Sequence, residues 1–305
     1  MRVLILGGKG YIGSRLDPYL TDAGHSVINI DLEWFGNYLD KKSLVTDFNN
    51  INSQYIVEAE AIVLLAGHSS VKMCLGDYYS SFNNNVRNTL RLVERIRLLN
   101  PATKLIYASS SSIYGNTNGN VADESQEEFV CANNYDLTKY IVDQYMLKNN
   151  PIPNWYGLRF GTVNGWSLNH RSELMINSMT KSAVDNGKVV ISNKHIHRAI
   201  LGITDLCRGI ERIVSSTGVA SGVYNMNSFN STVEDIATVV SNITQTNIID
   251  QGIVGKTYDF MISSDKFENA FDFKFQQNAE SIVNELLDNY HSLNMTNRDN
   301  GVVYE

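Results

Sequence analysis

Tyr135 and Lys139 stand four residues apart in a predicted helix over 134–148, so their side chains share one face. A tyrosine is a poor base at neutral pH, its unperturbed pKa being about 10. A nearby ammonium, together with the positive charge of an oxidised nicotinamide, favours the phenolate and lowers that value. Such a tyrosine can take a proton from a hydroxyl while hydride leaves the same carbon. Upstream, a predicted strand at 104–108 runs into Ser109-Ser110-Ser111-Ser112-Ile113-Tyr114-Gly115. A hydroxyl cluster at the end of a sheet strand can hydrogen-bond a reacting oxygen. Taken alone, each pattern is weak; what joins them is their position downstream of a glycine-rich loop.

That loop is Gly7-Gly8-Lys9-Gly10-Tyr11-Ile12-Gly13. It satisfies GxGxxG through Gly8, Gly10 and Gly13, and GxxGxxG through Gly7, Gly10 and Gly13. A buried strand precedes it and an amphipathic stretch follows. Bare backbone N–H groups at a helix N-terminus are what a pyrophosphate requires. A second strand, Ser26-Val27-Ile28-Asn29-Ile30, ends on Asp31. An acid there, about 20 residues beyond the glycines, is placed to accept both ribose hydroxyls of adenosine. It would repel a 2′-phosphate, which favours NAD over NADP.

The elements that must position these groups alternate along the chain. After the strand at 2–6 and the strand ending on Asp31 come Ala61-Ile62-Val63-Leu64-Leu65, a helix over 79–99, the strand at 104–108, the helix at 134–148 and a strand at 155–160. Short continuous apolar runs suit strands covered on both faces. The rhythm predicts an α/β fold: a Rossmann-type doubly wound parallel sheet with ligands at the carboxyl ends of its strands. Beyond Gly161 it loosens into a smaller α+β part for substrate. This divides the chain into a dinucleotide-binding domain over 1–163, with a returning segment near 195–217, and a mainly substrate-binding domain over 164–305. A helix beginning near Thr204 carries Leu206, Ile210 and Ile213 on one face, to pack on the first domain. Ser231-Thr232-Val233-Glu234 reads as a capping box. Residues 116–120 read as an exposed polar loop, and the last ten or so residues as disordered.

Composition narrows the function classes. The 305 residues carry a net charge of −7 and no Lys/Arg-rich run, which argues against nucleic acid and membrane surfaces. An anionic ligand therefore needs local arginines. The three cysteines (Cys74, Cys131, Cys207) are odd in number and lack zinc spacing, as expected of reduced thiols in a cytoplasmic protein. The chain begins with the first strand and has no apolar run of spanning length, so neither a signal peptide nor a membrane segment is expected.

On these residues the chain resembles the extended short-chain dehydrogenase/reductases, the branch holding nucleotide-sugar epimerases and dehydratases. The resemblance rests on the loop at 7–13, Asp31, Asp47-Phe48, Leu65-Ala66-Gly67, Asn85-Val86, the serine-rich strand end, Tyr135 with Lys139, and Arg159-Phe160. It continues through Arg198 before Ile203-Thr204-Asp205, and Ser264-Asp265-Lys266. It implies NAD held by Gly7, Gly10, Tyr11, Ile12, Gly13, Asp31, Asp47, Phe48, Leu65, Ala66 and Gly67. It implies Tyr135 as base, Lys139 on the nicotinamide ribose and Ser110 as the catalytic hydroxyl. Ser110, Ser111, Thr162, Arg171 and Arg198 would meet a nucleotide-sugar substrate, Arg198 at its diphosphate. A homodimer, through a four-helix bundle of the helices near 80–99 and 134–148, is also implied.

The departures bear on the reaction. Dehydratases of the family carry Asp-Glu after the catalytic hydroxyl, where this chain has Ser111 and Ser112. An expected Asn is Thr162, and Tyr258 stands where an Arg often meets the nucleotide. The pattern around Leu65 to Cys74 and Gly161 to Arg171 is similar, more loosely, to dehydrogenases that oxidise C4 of GDP-heptoses. The resemblance thus implies oxidation or epimerisation at sugar C4 through a 4-keto intermediate. A keto-sugar reductase or 4,6-dehydratase is the alternative, and a catalytically silent NAD-binding regulatory or scaffold protein is the alternative of another class. His195 and His197 alternate on a predicted strand without a third ligand, so no metal is expected. Cys74 and Cys131 read as small hydrophobes. His170 and Arg171, opening a helix, are placed to reach a phosphate or to stand in solvent.

Overall fold

A computed structural model describes residues 1–39, 41–255 and 257–295; the expectation of a disordered terminus falls largely outside the described residues. Its centre is a seven-stranded sheet in the order 222–226, 155–160, 104–110, 61–64, 2–6, 26–31, 44–45. All neighbours in it are parallel. Chain order runs outward from the 2–6 strand on one side and resumes on the other. The switch point therefore lies between strands 2–6 and 61–64, where a doubly wound sheet opens its ligand crevice. The strand at Gly222–Met226, absent from the sequence reading, completes one edge.

Both faces of the sheet are covered, which explains the unbroken apolar runs. Val3, Ile5, Ala61 and Val63 share a core with Leu16 and Leu20 of the helix Gly13–Asp22, and with Leu206, Ile210 and Ile213 of the helix Ile203–Ser215. Leu4, Leu6, Ile62 and Leu64 point the other way, to Leu92, Val93 and Ile96 of the helix Thr89–Leu99 and to Val142 and Met146 of the helix Asn134–Asn149. The apolar face expected near Thr204 does pack on the sheet.

The expected helix over 79–99 is three pieces: a short helix Tyr78–Phe82, a π-helical turn Asn83–Asn88 and the helix Thr89–Leu99. The widened turn inserts Asn85 toward the sheet, a use to which π-bulges are often put. Asn85 Oδ1 accepts from the His68 N–H at 2.8 Å, and its Nδ2 donates to the His68 carbonyl at 3.0 Å and to Thr138 Oγ1 at 3.1 Å. A Cβ on Gly67 would sit 2.6 Å from Asn85 Oδ1, at a φ of +145°, so this loop needs glycine there.

The second layer is a three-stranded sheet of 229–232, 197–202 and 162–164, with helices Met175–Asn186, Val233–Thr244 and Ala279–Asp288 around a separate core. Two corrections fall here. The cap of the helix Val233–Thr244 is Thr232, the last residue of its strand, whose hydroxyl accepts from the Asp235 N–H at 3.1 Å; Ser231 lies one residue earlier in the strand, opposite Arg198. His195 lies in a turn, exposed beside Glu234, while His197 opens the strand and meets Asp259, so the two do not share a strand face. Among the described residues no group of three His, Cys, Asp or Glu side chains could hold a metal ion, and no helix is long and apolar enough to cross a membrane.

Candidate active site

The glycine loop joins the first strand to the first helix at the switch point. A Cβ on Gly13 would lie 2.4 Å from the Gly7 carbonyl oxygen, so a side chain cannot be accommodated there. The helix that starts at Gly13 has no side-chain cap and no acid in its first turn. The Ser14 N–H donates to the Gly10 carbonyl and the Arg15 and Leu16 N–H groups to that of Ile12, so the turn residues Tyr11, Ile12 and Gly13, at the positive end of the dipole, are what the helix offers an anion. Beside it lies a cavity of about 310 Å³. Gly7, Gly10, Tyr11, Ile12, Gly13, Asp31, Asp47, Phe48, Leu65, Ala66 and Gly67 all line it, as does Arg171. The sequence reading missed Trp34, Phe35, His68, Ser69 and the π-turn residues Asn83, Asn84 and Asn88, which also line it. The Asn83-Asn84-Asn85 run was the one visible signal of the π-turn.

Asp31 is held by backbone. Its Oδ2 accepts from the Lys9 N–H at 2.8 Å and its Oδ1 from the Glu33 N–H at 2.7 Å. Burial pushes its carboxyl pKa up, and these two hydrogen bonds pull it back. Phe48 lies on the far wall, and Asp47 caps its turn by accepting from the Asn49 N–H at 2.8 Å.

Tyr135, Lys139 and Ser110 converge where the strand Lys104–Ser110 meets the helix Asn134–Asn149. Lys139 Nζ donates to the Ala108 carbonyl at 2.9 Å and stands 5.6 Å from the centre of the Tyr135 ring. Ser110 Oγ stands 2.7 Å from Ser112 Oγ. Burial pushes the Tyr135 pKa up to about 12, with the nearby Ser110 hydroxyl working against it. Burial brings Lys139 down to about 8. The expected lowering of the tyrosine is therefore overridden in the chain itself by desolvation, the larger effect.

The remaining expected substrate residues are dispersed. Ser111 is 1% exposed and donates to the Phe160 carbonyl at 2.7 Å, so its hydroxyl is committed to the core and not to a substrate. Thr162 is paired in the smaller sheet opposite Ile200. Arg171 lines the cavity but pairs through Nε with Glu173 at 2.6 Å. Arg198 donates to the Tyr258 carbonyl and to Thr257 Oγ1, so its guanidinium is engaged by its own chain. His170 is neither a loop group in solvent nor at the cavity wall: it is 1% exposed, edge-on to Tyr11 at 6.1 Å. Burial raises the thiol pKa of Cys74, and that of Cys131 to about 11, which leaves both unreactive.

A family model described as NAD dependent epimerase/dehydratase matches residues 3–226. Protein CapI of Staphylococcus aureus is 26% identical over 242 residues, which cover 70% of this chain and 69% of that protein. UDP-glucuronate 4-epimerase 1 of Arabidopsis thaliana is 26% identical over 246 residues, covering 72% of this chain and 56% of that protein. Among solved structures, the UDP-glucose 4-epimerase of Thermotoga maritima with UDP-glucose superposes with a TM-score of 0.83 at 18% identity, over 95% of this chain and 99% of that one.

Proposed function

Because the chain belongs to the NAD dependent epimerase/dehydratase family, we propose that it is an NAD-dependent nucleotide-sugar oxidoreductase or epimerase acting at sugar C4. The observation that carries this reading is the convergence of Ser110, Tyr135 and Lys139 at a strand end, where Lys139 lines a small pocket that shares Ala66 with the glycine-loop cavity. The turn at Tyr11, Ile12 and Gly13, at the positive end of the helix, would hold the pyrophosphate of NAD, and Asp31 its adenosine ribose. NAD, when bound, supplies the hydride acceptor. Tyr135 takes the proton of the 4-hydroxyl, and Ser110 hydrogen-bonds the same oxygen. Lys139 supplies positive charge behind the tyrosine below pH about 8 and loses it above. Release of the 4-keto sugar would make a dehydrogenase; return of the hydride to its other face would make an epimerase. Dehydration is disfavoured, since Ser111 and Ser112 offer neither the acid nor the base that loss of water needs.

The substrate-side role of Arg198 requires it to exchange Tyr258 and Thr257 for a diphosphate, which its bidentate fork suits. A homodimer is part of the same reading, supported by exposed Tyr78, Tyr79, Phe82 and Leu137 on the helices expected to pair. So is a cytoplasmic location, supported by three unpaired cysteines.

The test is a panel of UDP-, GDP-, CDP- and dTDP-sugars, with products followed by mass spectrometry and NMR and NADH by absorbance. Inverted C4 at unchanged mass is an epimerase; a product two hydrogens lighter with accumulating NADH is a dehydrogenase. Loss of water contradicts the reading of Ser111 and Ser112. Asp31→Ala is expected to weaken NAD by about 10-fold and to narrow its preference over NADP, since charge-assisted bonds to the ribose disappear. Isothermal titration with both cofactors measures it, and an unchanged NAD/NADP ratio contradicts the ribose role.

A further inference from the structure

The segment that leads into the second layer reaches back to the glycine turn at three points. Tyr11 donates its hydroxyl to the Gly165 carbonyl at 2.8 Å. Ser167 Oγ donates to the Tyr11 carbonyl at 2.6 Å, and Asn169 Nδ2 donates to the Lys9 carbonyl at 2.8 Å. Every residue in these bonds is buried, so the segment cannot shift against the turn without leaving polar groups unsatisfied away from water.

Arg171 stands at the end of that segment. Asn177, 2% exposed, donates from Nδ2 to the Arg171 carbonyl at 2.9 Å and to the Tyr11 hydroxyl at 3.2 Å. One amide thus fixes the arginine backbone and the glycine-turn tyrosine to a common point. The Arg171 side chain is only 15% exposed. A guanidinium carries five N–H donors. Its Nε gives one to Glu173 Oε1 at 2.6 Å, and among the described residues its two terminal NH2 groups have no hydrogen-bond partner. Arg198, by contrast, already spends its guanidinium on Tyr258 and Thr257.

Charge gives the terminal NH2 groups their ligand. Arg171 is the one lysine or arginine that lines the cavity of about 310 Å³ among the described residues, while Asp31 and Asp47 bring carboxylates to the same wall. A diphosphate entering there meets backbone N–H groups and acids, with a single cationic side chain to offset them. The bond through Nε leaves the end of the fork, where two parallel N–H groups suit the oxygens of one phosphate.

We propose that Arg171 is a cofactor-binding residue whose terminal NH2 groups pair with the pyrophosphate of NAD, supplying a side-chain charge that the glycine turn lacks. This rests on the cavity being the NAD site. It takes Arg171 from the sugar nucleotide, to which the family resemblance assigns it, and leaves Arg198 as the arginine for that ligand. The segment is anchored before the ligand arrives, so little ordering is left to oppose binding. Bound NAD then touches both layers of the fold.

The test is isothermal titration of the full chain with NAD, with adenosine as a phosphate-free probe and UDP as the diphosphate of the sugar side. Arg171→Gln is expected to weaken NAD by about 10- to 100-fold, the worth of a charge-assisted contact, and to leave adenosine unchanged. Arg171→Lys keeps the charge without the fork and is expected to recover part of the loss. An unchanged NAD constant in Arg171→Gln overturns the proposal, and a weakened UDP constant beside it returns the arginine to the sugar nucleotide. Equal losses for NAD and adenosine also overturn it, because a disturbed cavity then accounts for both. If Arg171→Gln does not fold, Arg171→Lys decides by the same comparison: weakened NAD with unchanged adenosine supports the pairing, and unchanged NAD overturns it. Failure of the unsubstituted chain to bind NAD overturns the cofactor reading itself, a result that is distinguishable because it needs no variant.

Discussion

Tyr135→Phe is expected to lower turnover by about 10²- to 10⁴-fold, the range for loss of a positioned acid–base group, while NAD stays bound. The substitution removes one oxygen from a ring that is otherwise retained, so packing against Lys139 persists. The distinguishing result is the split: kcat collapses, whereas the dissociation constant of NAD from equilibrium titration changes little. Retained turnover would remove Tyr135 from the proton path. Loss of NAD binding would mean that its hydroxyl serves the cofactor rather than the reaction. Lys139→Met is a useful companion. Burial already penalises its charge, so stability is expected to hold while turnover is lost.

Asp143→Asn should have the largest effect on stability, because Asp143 and Arg159 form an ion pair with both side chains at most 1% exposed. Arg159 Nε donates to Asp143 Oδ2 at 2.8 Å, and the carboxylate also accepts from Tyr107 and Ser109, each at 3.0 Å. The other end of the guanidinium donates to the Tyr114 hydroxyl at 2.8 Å, which in turn donates to Asn225 at 2.9 Å. The network ties the helix Asn134–Asn149 to three strands of the sheet. Removing the carboxylate charge leaves a buried guanidinium unpaired, at a cost of about 3–5 kcal/mol. Urea unfolding measures it. Replacing both partners by apolar residues of similar volume should recover much of the loss, since the desolvation penalty then disappears as well.

The same substitution reaches the chemistry. Asp143 lies one helical turn beyond Lys139 and its charge raises the lysine pKa against burial. Without it the lysine loses its proton at lower pH, so the alkaline limb of activity is expected to move downward from about 8. In stability the sign is opposite. The folded chain sheds this proton near 8 and the unfolded chain near 10.5, so between those values the unfolded state binds more protons and this group makes stability rise with pH. A pH–rate profile beside a pH–stability curve separates the two.

How much of this was legible in the sequence follows from the range of each interaction. The glycine loop and Asp31 line one cavity, and Lys139 stands over the Tyr135 ring one helical turn away, as their spacing predicts, because each is a local pattern in which backbone geometry places the side chains. Where neighbours intervened, local reading slipped. The helix expected over 79–99 is widened at Asn83–Asn88, where Asn85 has to reach His68 and Thr138. The helix cap is Thr232 and not Ser231 because the strand runs on through Thr232, so the helix starts one residue later.

The sequence by itself determined the doubly wound sheet and the glycine loop at its switch point. Short continuous apolar runs suit strands covered on both faces, and the close backbone approaches at Gly7 and Gly13 leave no room for a Cβ. Tertiary structure alone decided which hydroxyls meet which charges. Ser112 and Tyr258 reach Asp136 across 24 and 122 residues, and Arg198 turns to 257–258. Ser111 and Ser112, adjacent and chemically identical, end one against a backbone carbonyl and the other against a buried carboxylate. A hydroxyl or a charge is satisfied by whatever packing brings within hydrogen-bond reach once water is excluded, and no local pattern specifies that partner.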